Sequence, residues 1–134
     1  MFSLFTGCAS GFNAMEHLDE TLRNYHHHLV AQSVDSAALF VASEGHEAFE
    51  SLHDPAQNLN RLEEYAVVSV REKRPTKEDS THTAKVTVKA RLRRSDSITV
   101  NFVRFQEEWK RFGNTWKLID TQMIKVDGDF WGRD

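Results

Sequence analysis

Few side chains in this chain have both the type and the setting for chemistry, and Asp120 leads them. It lies in the run Trp116, Leu118, Asp120, Gln122, Ile124 and Val126, whose alternate positions are mostly apolar. On a strand these positions share one face. Asp120 is therefore expected on a largely buried face, where lost hydration disfavours the charged form unless a donor holds it. That setting makes it the candidate acid or base. The donors that could oppose it are Tyr25 and His26 on a helix and Tyr65 on a strand. A base in a dry cavity facing a donor for a developing oxyanion would suit proton transfer next to a carbonyl. Tyr65, Trp109, Trp116 and Gln122 would line the ligand, although Gln122 and Asp120 could also satisfy each other and the two tryptophans could fill the interior.

The triplet His26-His27-His28 suggests a metal, and helix geometry argues against it. Successive side chains diverge by about 100°, so three consecutive imidazoles cannot close on one ion. His17 and His28 share a face but stand ~16 Å apart along the axis. Neither a metal nor a cofactor is expected. Nothing matches a phosphate-cradling glycine loop, a nucleophile elbow, paired metal cysteines or a His-Glu helix motif.

These residues are carried by 134 residues, one domain's worth, with 40% apolar content, nine Phe and three Trp. Cys8 is the sole cysteine, so no intrachain disulfide forms and cysteine pairing does not indicate the compartment. The net charge of -3 conceals an asymmetry. Residues 1–64 set two basic residues, Arg23 and Arg61, against ten acidic ones, whereas residues 71–94 set nine basic against three acidic. Arg71, Lys85, Lys89, Arg91 and Arg93 could face an anionic partner. Single-strand nucleic-acid binders interleave aromatic residues with such charges, and here the intervening residues are threonines. Nucleic acid is not expected. The expected partners are a small apolar ligand, another protein, or a second copy in a homodimer.

Residues 1–13 form an apolar leading segment, and residues 14–134 the single domain. Leu4 to Cys8 resembles a bacterial lipoprotein box, in which the cysteine is lipidated after cleavage. It departs from that pattern at Phe5, in lacking a preceding Lys or Arg, and in an apolar run shorter than the ~7–15 residues of a signal core. Two readings stay open: lipidation at Cys8 with an address in the cell envelope, or a cytoplasmic chain whose Phe2, Leu4, Phe5 and Phe12 pack onto the domain. No stretch approaches the ~20 apolar residues of a spanning helix, so membrane anchoring would depend on lipid at Cys8.

Met15, Leu18, Leu22, Tyr25 and Leu29 are spaced 3, 4, 3, 4 and predict one long amphipathic helix over 14–32. A second helix through residues 37–41 should stop at Gly45, a third piece carries Phe49 and Leu52, and Asp54-Pro55 predicts one more helical turn. Four strands follow. The first runs near 62–74. The second alternates Ala84, Val86, Val88, Ala90 and Leu92 against a charged face. The third begins with Ile98, Val100 and Phe102 in phase, then Val103, Phe105 and Trp109 take the other phase, which predicts a bulge or a strand covered on both faces. Phe112-Gly113-Asn114 turns into the fourth.

The predicted class is α+β, N-terminal helices packed on a curved four-stranded antiparallel sheet. A tryptophan ending the third strand, the Gly-Asn turn, and Trp116-Lys117-Leu118 opening the fourth resemble the nuclear transport factor 2-like, or cystatin-like, superfamily over roughly residues 14–126. Asn24-Tyr25, Asp35 and the Trp109 to Trp116 spacing resemble its small bacterial lipoproteins and secreted proteins of unassigned activity. The resemblance implies a sheet wrapped around the first helix as a cone, often dimeric, with an interior that is a pocket in some relatives and plain core in others. Two functions are then expected: a non-catalytic binding or scaffold domain, or a cofactor-free isomerase or dehydratase working inside the cone.

Overall fold

The computed structural model describes residues 14–125. Helix α1 (Ala14–Val30) buries Leu18, Leu22, Tyr25, His26 and Leu29, the stripe its 3,4 spacing dictates with His26 added beside it. The helix closes on Gln32, whose φ of 62° is left-handed. Gln32 N–H donates to the Leu29 carbonyl and Ser33 N–H to the His28 carbonyl, the paired bonds of a Schellman cap.

Helix α2 (Val34–Ala38) buries only Ala37, and the chain beyond it runs along the sheet edge. Val41 bridges Leu118 in parallel, with Leu118 N–H donating to Phe40 O and Ala42 N–H to Leu118 O, each at 2.9 Å. A 3-10 turn (Ser43–Gly45) follows. A Cβ on Gly45 would stand 2.6 Å from the Leu118 carbonyl oxygen, so this close approach requires glycine. Helix α3 (His46–His53) buries Phe49 and His53. The extra helical turn expected at Asp54-Pro55 is a hydrogen-bonded turn instead: Asp54 accepts from Ala56 N–H through its side chain and from Gln57 and Asn58 N–H through its carbonyl.

Strands β1 (Asn60–Lys73), β2 (Thr83–Arg94), β3 (Val100–Phe112) and β4 (Thr115–Lys125) form an antiparallel sheet in sequence order. Its inner face receives Ala84, Val86, Val88, Ala90 and Leu92 from β2 and Val103, Phe105, Glu107 and Trp109 from β3, all buried. Pairing of β2 with β3 runs without a shift, so β3 carries no bulge against β2. Val100 and Phe102 simply face outward, half-buried, while Ile98 is an exposed loop residue. The irregularity is in β4. Glu108 pairs with Asp120 and Trp109 with Leu118, which leaves Ile119 as an extra residue. Trp116 and Leu118 point inward before it, and Thr121 points inward after it. Gly113 turns β3 into β4 at φ 65°.

Candidate functional site

The phase of α1 turns His26 toward the sheet one turn after Leu22, and the alternation of β3 sets Glu107 inward between Phe105 and Trp109. The two meet. His26 Nε2 lies 2.7 Å from Glu107 Oε2, with side-chain exposures of 0% and 1%. His26 Nδ1 donates to the Leu22 carbonyl at 2.8 Å, and Trp109 Nε1 donates to Glu107 Oε1 at 3.0 Å. Because both ring nitrogens face oxygens, one shareable proton must occupy the His26–Glu107 contact. It makes either an imidazolium beside a carboxylate or a neutral ring accepting from a carboxylic acid. Tyr65 stacks on the His26 ring at 4.8 Å, and Tyr25 meets its edge at 4.9 Å.

Two further polar groups surround the pair. The Tyr25 hydroxyl is buried without a hydrogen-bond partner among the described residues, and its ring lies edge-on to Trp109 at 5.2 Å. Burial, reinforced by the Glu107 charge, holds that phenol well above its usual range, so it keeps its proton. His53 is pushed down to about 4 by burial; Glu107 opposes this and His26 adds to it. Its ring packs on Phe49 and Phe105 and borders a cavity of about 90 Å³ shared with Leu29, Val34, Arg61 and Leu62. Thr121 Oγ1, on the inner face, is likewise buried without a hydrogen-bond partner among the described residues.

Asp120 is not part of this cluster. The extra residue Ile119 reverses the phase of β4, so Asp120 is exposed on the outer face, the opposite side of the sheet from Tyr25 and His26. The burial expected for it is thereby corrected, and so is the constellation that paired it with those donors. Asp120 lines an outer groove of about 330 Å³ with Arg71, Lys85, Gln106, Glu108 and Gln122. Gln122, also exposed, donates to Gln106 Oε1 at 3.1 Å rather than holding Asp120.

Trp109 and Trp116 are enclosed by protein. The Trp116 indole donates to Ala14 O at 2.9 Å and meets His82 at 5.0 Å. Tyr65 is half-buried over His26. Cys8 and its neighbours lie outside the described residues.

Glu107 and His53 were not singled out from the sequence. Glu107 was visible as a carboxylate set between Phe105 and Trp109 in the same phase. The three rings of the histidine triplet part company: His26 is buried, His27 is exposed, and His28 lies against Phe40. Among the described residues no three His, Cys, Asp or Glu side chains are grouped to hold a metal ion. On the outer face Arg91 and Arg93 both donate to Glu63, and Arg91 also pairs with Glu64 at 3.5 Å, which neutralises part of the basic strand.

No family model matches the chain, and no curated protein matches it. Solved structures do. A nuclear transport factor 2-like protein from Cytophaga hutchinsonii superposes with a TM-score of 0.60 at 11% identity, covering 84% of this chain and 98% of the other. A candidate Ca/calmodulin-dependent kinase II association domain from Exiguobacterium sibiricum gives 0.63 at 12% identity over 86% and 95%. A candidate scytalone dehydratase from Novosphingobium aromaticivorans gives 0.64 at 9% identity over 90% and 89%. At these identities the likeness is one of fold. No described helix is long and apolar enough to cross a membrane.

Proposed function

We propose, on the premise that the chain has the nuclear transport factor 2-like fold, that it is a non-catalytic binding or scaffold domain whose cone is core and whose working surfaces lie outside. The fold itself supports ligand-binding and enzymatic domains alike. What carries the choice is the packing around the buried pair. Tyr25, His26 and Trp109 are each 0% exposed and the Glu107 side chain 1%, so no substrate-sized space borders the buried pair. A reaction needs room for its substrate.

A second reading is an acid–base enzyme without a cofactor. The unpartnered Tyr25 hydroxyl beside the proton-sharing His26–Glu107 pair favours it, and one structural neighbour is described as a candidate dehydratase. In that case Glu107 or His26, not Asp120, would take the proton and Tyr25 would donate to the oxyanion.

Phenol, a planar ring bearing a weakly acidic hydroxyl, separates the two readings as a mimic of an enol. With NMR following the His26 and Tyr25 rings, phenol at ~10 mM, a concentration that still populates millimolar complexes, should leave both signals in place if the cone is core. Saturable shifts confined to those rings would overturn that reading and favour the enzyme.

A further inference from the structure

Lys89 belongs to the outer phase of β2, yet it is only 8% exposed. Its neighbours on that face are Ala66 across on β1, Arg104 across on β3, and Thr87 and Arg91 two positions either way along its own strand. None of them is an acid. A lysine this buried is nearly always paired, and standing directly opposite Arg104 raises the need, because facing like charges destabilise a sheet. The acids on this stretch of β1, Glu63 and Glu64, hold Arg91 and Arg93. Phe102, two positions along β3 from Arg104, faces outward and is half-buried as well. Lys89, Arg104 and Phe102 are all engaged. Burial of this kind on the outer face requires a cover.

We propose that this part of the face is a docking site for an acidic, aromatic peptide segment, and that its occupant is the chain's own tail, residues 126–134, which lie outside the described residues. The tail sets Asp127, Asp129 and Asp134 against Arg133 and carries Phe130 beside Trp131. It brings the anions that the two apposed cations call for, and rings to shield them. It also starts in the right place. β4 ends at Lys125, opposite Val103 and one position short of Phe102. Asp127-Gly128 is a turn dipeptide, able to send the chain back over the sheet. From β4 across β3 to β2 is two strand spacings, ~10 Å, which about three extended residues span. Asp129 thus comes within reach of Arg104 and Lys89, with Phe130 and Trp131 next to it to close over them and Phe102.

An anion lowered between two facing cations in a half-dry setting gains more than it would in open water. An outside partner for this face must displace the tail, so the tail's own chemistry, carboxylates next to aromatic rings, describes what the surface selects. The inference does not depend on whether the cone is core or a reaction chamber, and the phenol titration leaves it standing either way.

NMR of the full chain at ~50 mM salt, where screening is weak, tests this. Nuclear Overhauser contacts should join the Trp131 ring to Phe102 or Lys89. Amide hydrogen exchange at Phe130 and Trp131 should be at least ~10-fold slower than in a free peptide of residues 126–134. Asp127→Asn/Asp129→Asn and Lys89→Met should each speed that exchange at least ~5-fold. The aspartate variant leaves the sheet untouched, so it decides the matter even if circular dichroism shows the Lys89 variant unfolded. Tail amides exchanging as fast as in the free peptide would overturn the proposal, as would exchange indifferent to the aspartate variant. So would contacts that form only between labelled and unlabelled molecules in a mixed sample, since the occupant would then be another copy's tail.

Discussion

The buried pair yields the sharpest prediction, because its two ends can be removed in different ways. Glu107→Leu takes away the acceptor of Trp109 Nε1 and the partner of His26 Nε2 at once. Stranding groups in a fully enclosed site costs about 3–5 kcal/mol. Glu107→Gln keeps the shape and both contacts of the pair. Its oxygen accepts from Trp109, its amide donates to the His26 Nε2 lone pair, and His26 Nδ1 still donates to Leu22 O. That change should cost no more than about 1 kcal/mol. His26→Leu leaves a carboxyl group buried with only the indole as donor and should again cost about 3–5 kcal/mol. The double change to leucine should cost several kcal/mol less than the sum of the singles, since neither partner is then stranded. Urea unfolding at pH 7 followed by tryptophan fluorescence reads all four variants. Additive losses, or a glutamine variant as damaged as the leucine one, would refute the reasoning.

Other expectations follow from the same geometry. His53 is neutral when folded because its pKa is lowered from 6.5 to about 4. Between those values the unfolded chain binds the extra proton. Stability should therefore fall as the pH drops from 6.5 toward 4, by about 3 kcal/mol from this group, and a His53→Leu variant should show a shallower fall in the same titration. Gly45→Ala places a methyl group 2.6 Å from the Leu118 carbonyl oxygen. Because the atoms it meets are all β4 backbone, of Leu118 and Ile119, it should destabilise by about 1–3 kcal/mol, readable as a lowered thermal midpoint.

How much of this was legible depended on whether a local pattern ran uninterrupted. The 3,4 spacing of α1 and the alternation of β2 did, and both elements lie where their apolar faces required. In β4 the alternation changed sides at Leu118-Ile119, two adjacent apolar residues that read equally well as either phase. Only pairing with β3 reveals which one is extra. The placement of Asp120 went wrong for that reason and took the proposed constellation with it. Glu107 stood in phase with three large apolar residues, but its partner is 81 positions away, and no periodicity within one element reports such a contact. His26 directly follows Tyr25 of the α1 stripe. Its burial depends on Tyr65 and Glu107 closing over it from the sheet.

Ile119 does more than kink a strand. It acts as a one-letter offset in the reading of β4, and a count of alternate positions that includes it assigns everything downstream to the wrong side. Paired as an ordinary position, it would put Asp120 and Gln122 toward the aromatic interior and Thr121 outside. Deleting it instead leaves Asp120 opposite Glu108 on the outer face and Thr121 inside, the sides they already occupy. A shortening at this point is therefore absorbed within the strand, with β4 keeping its register on β3.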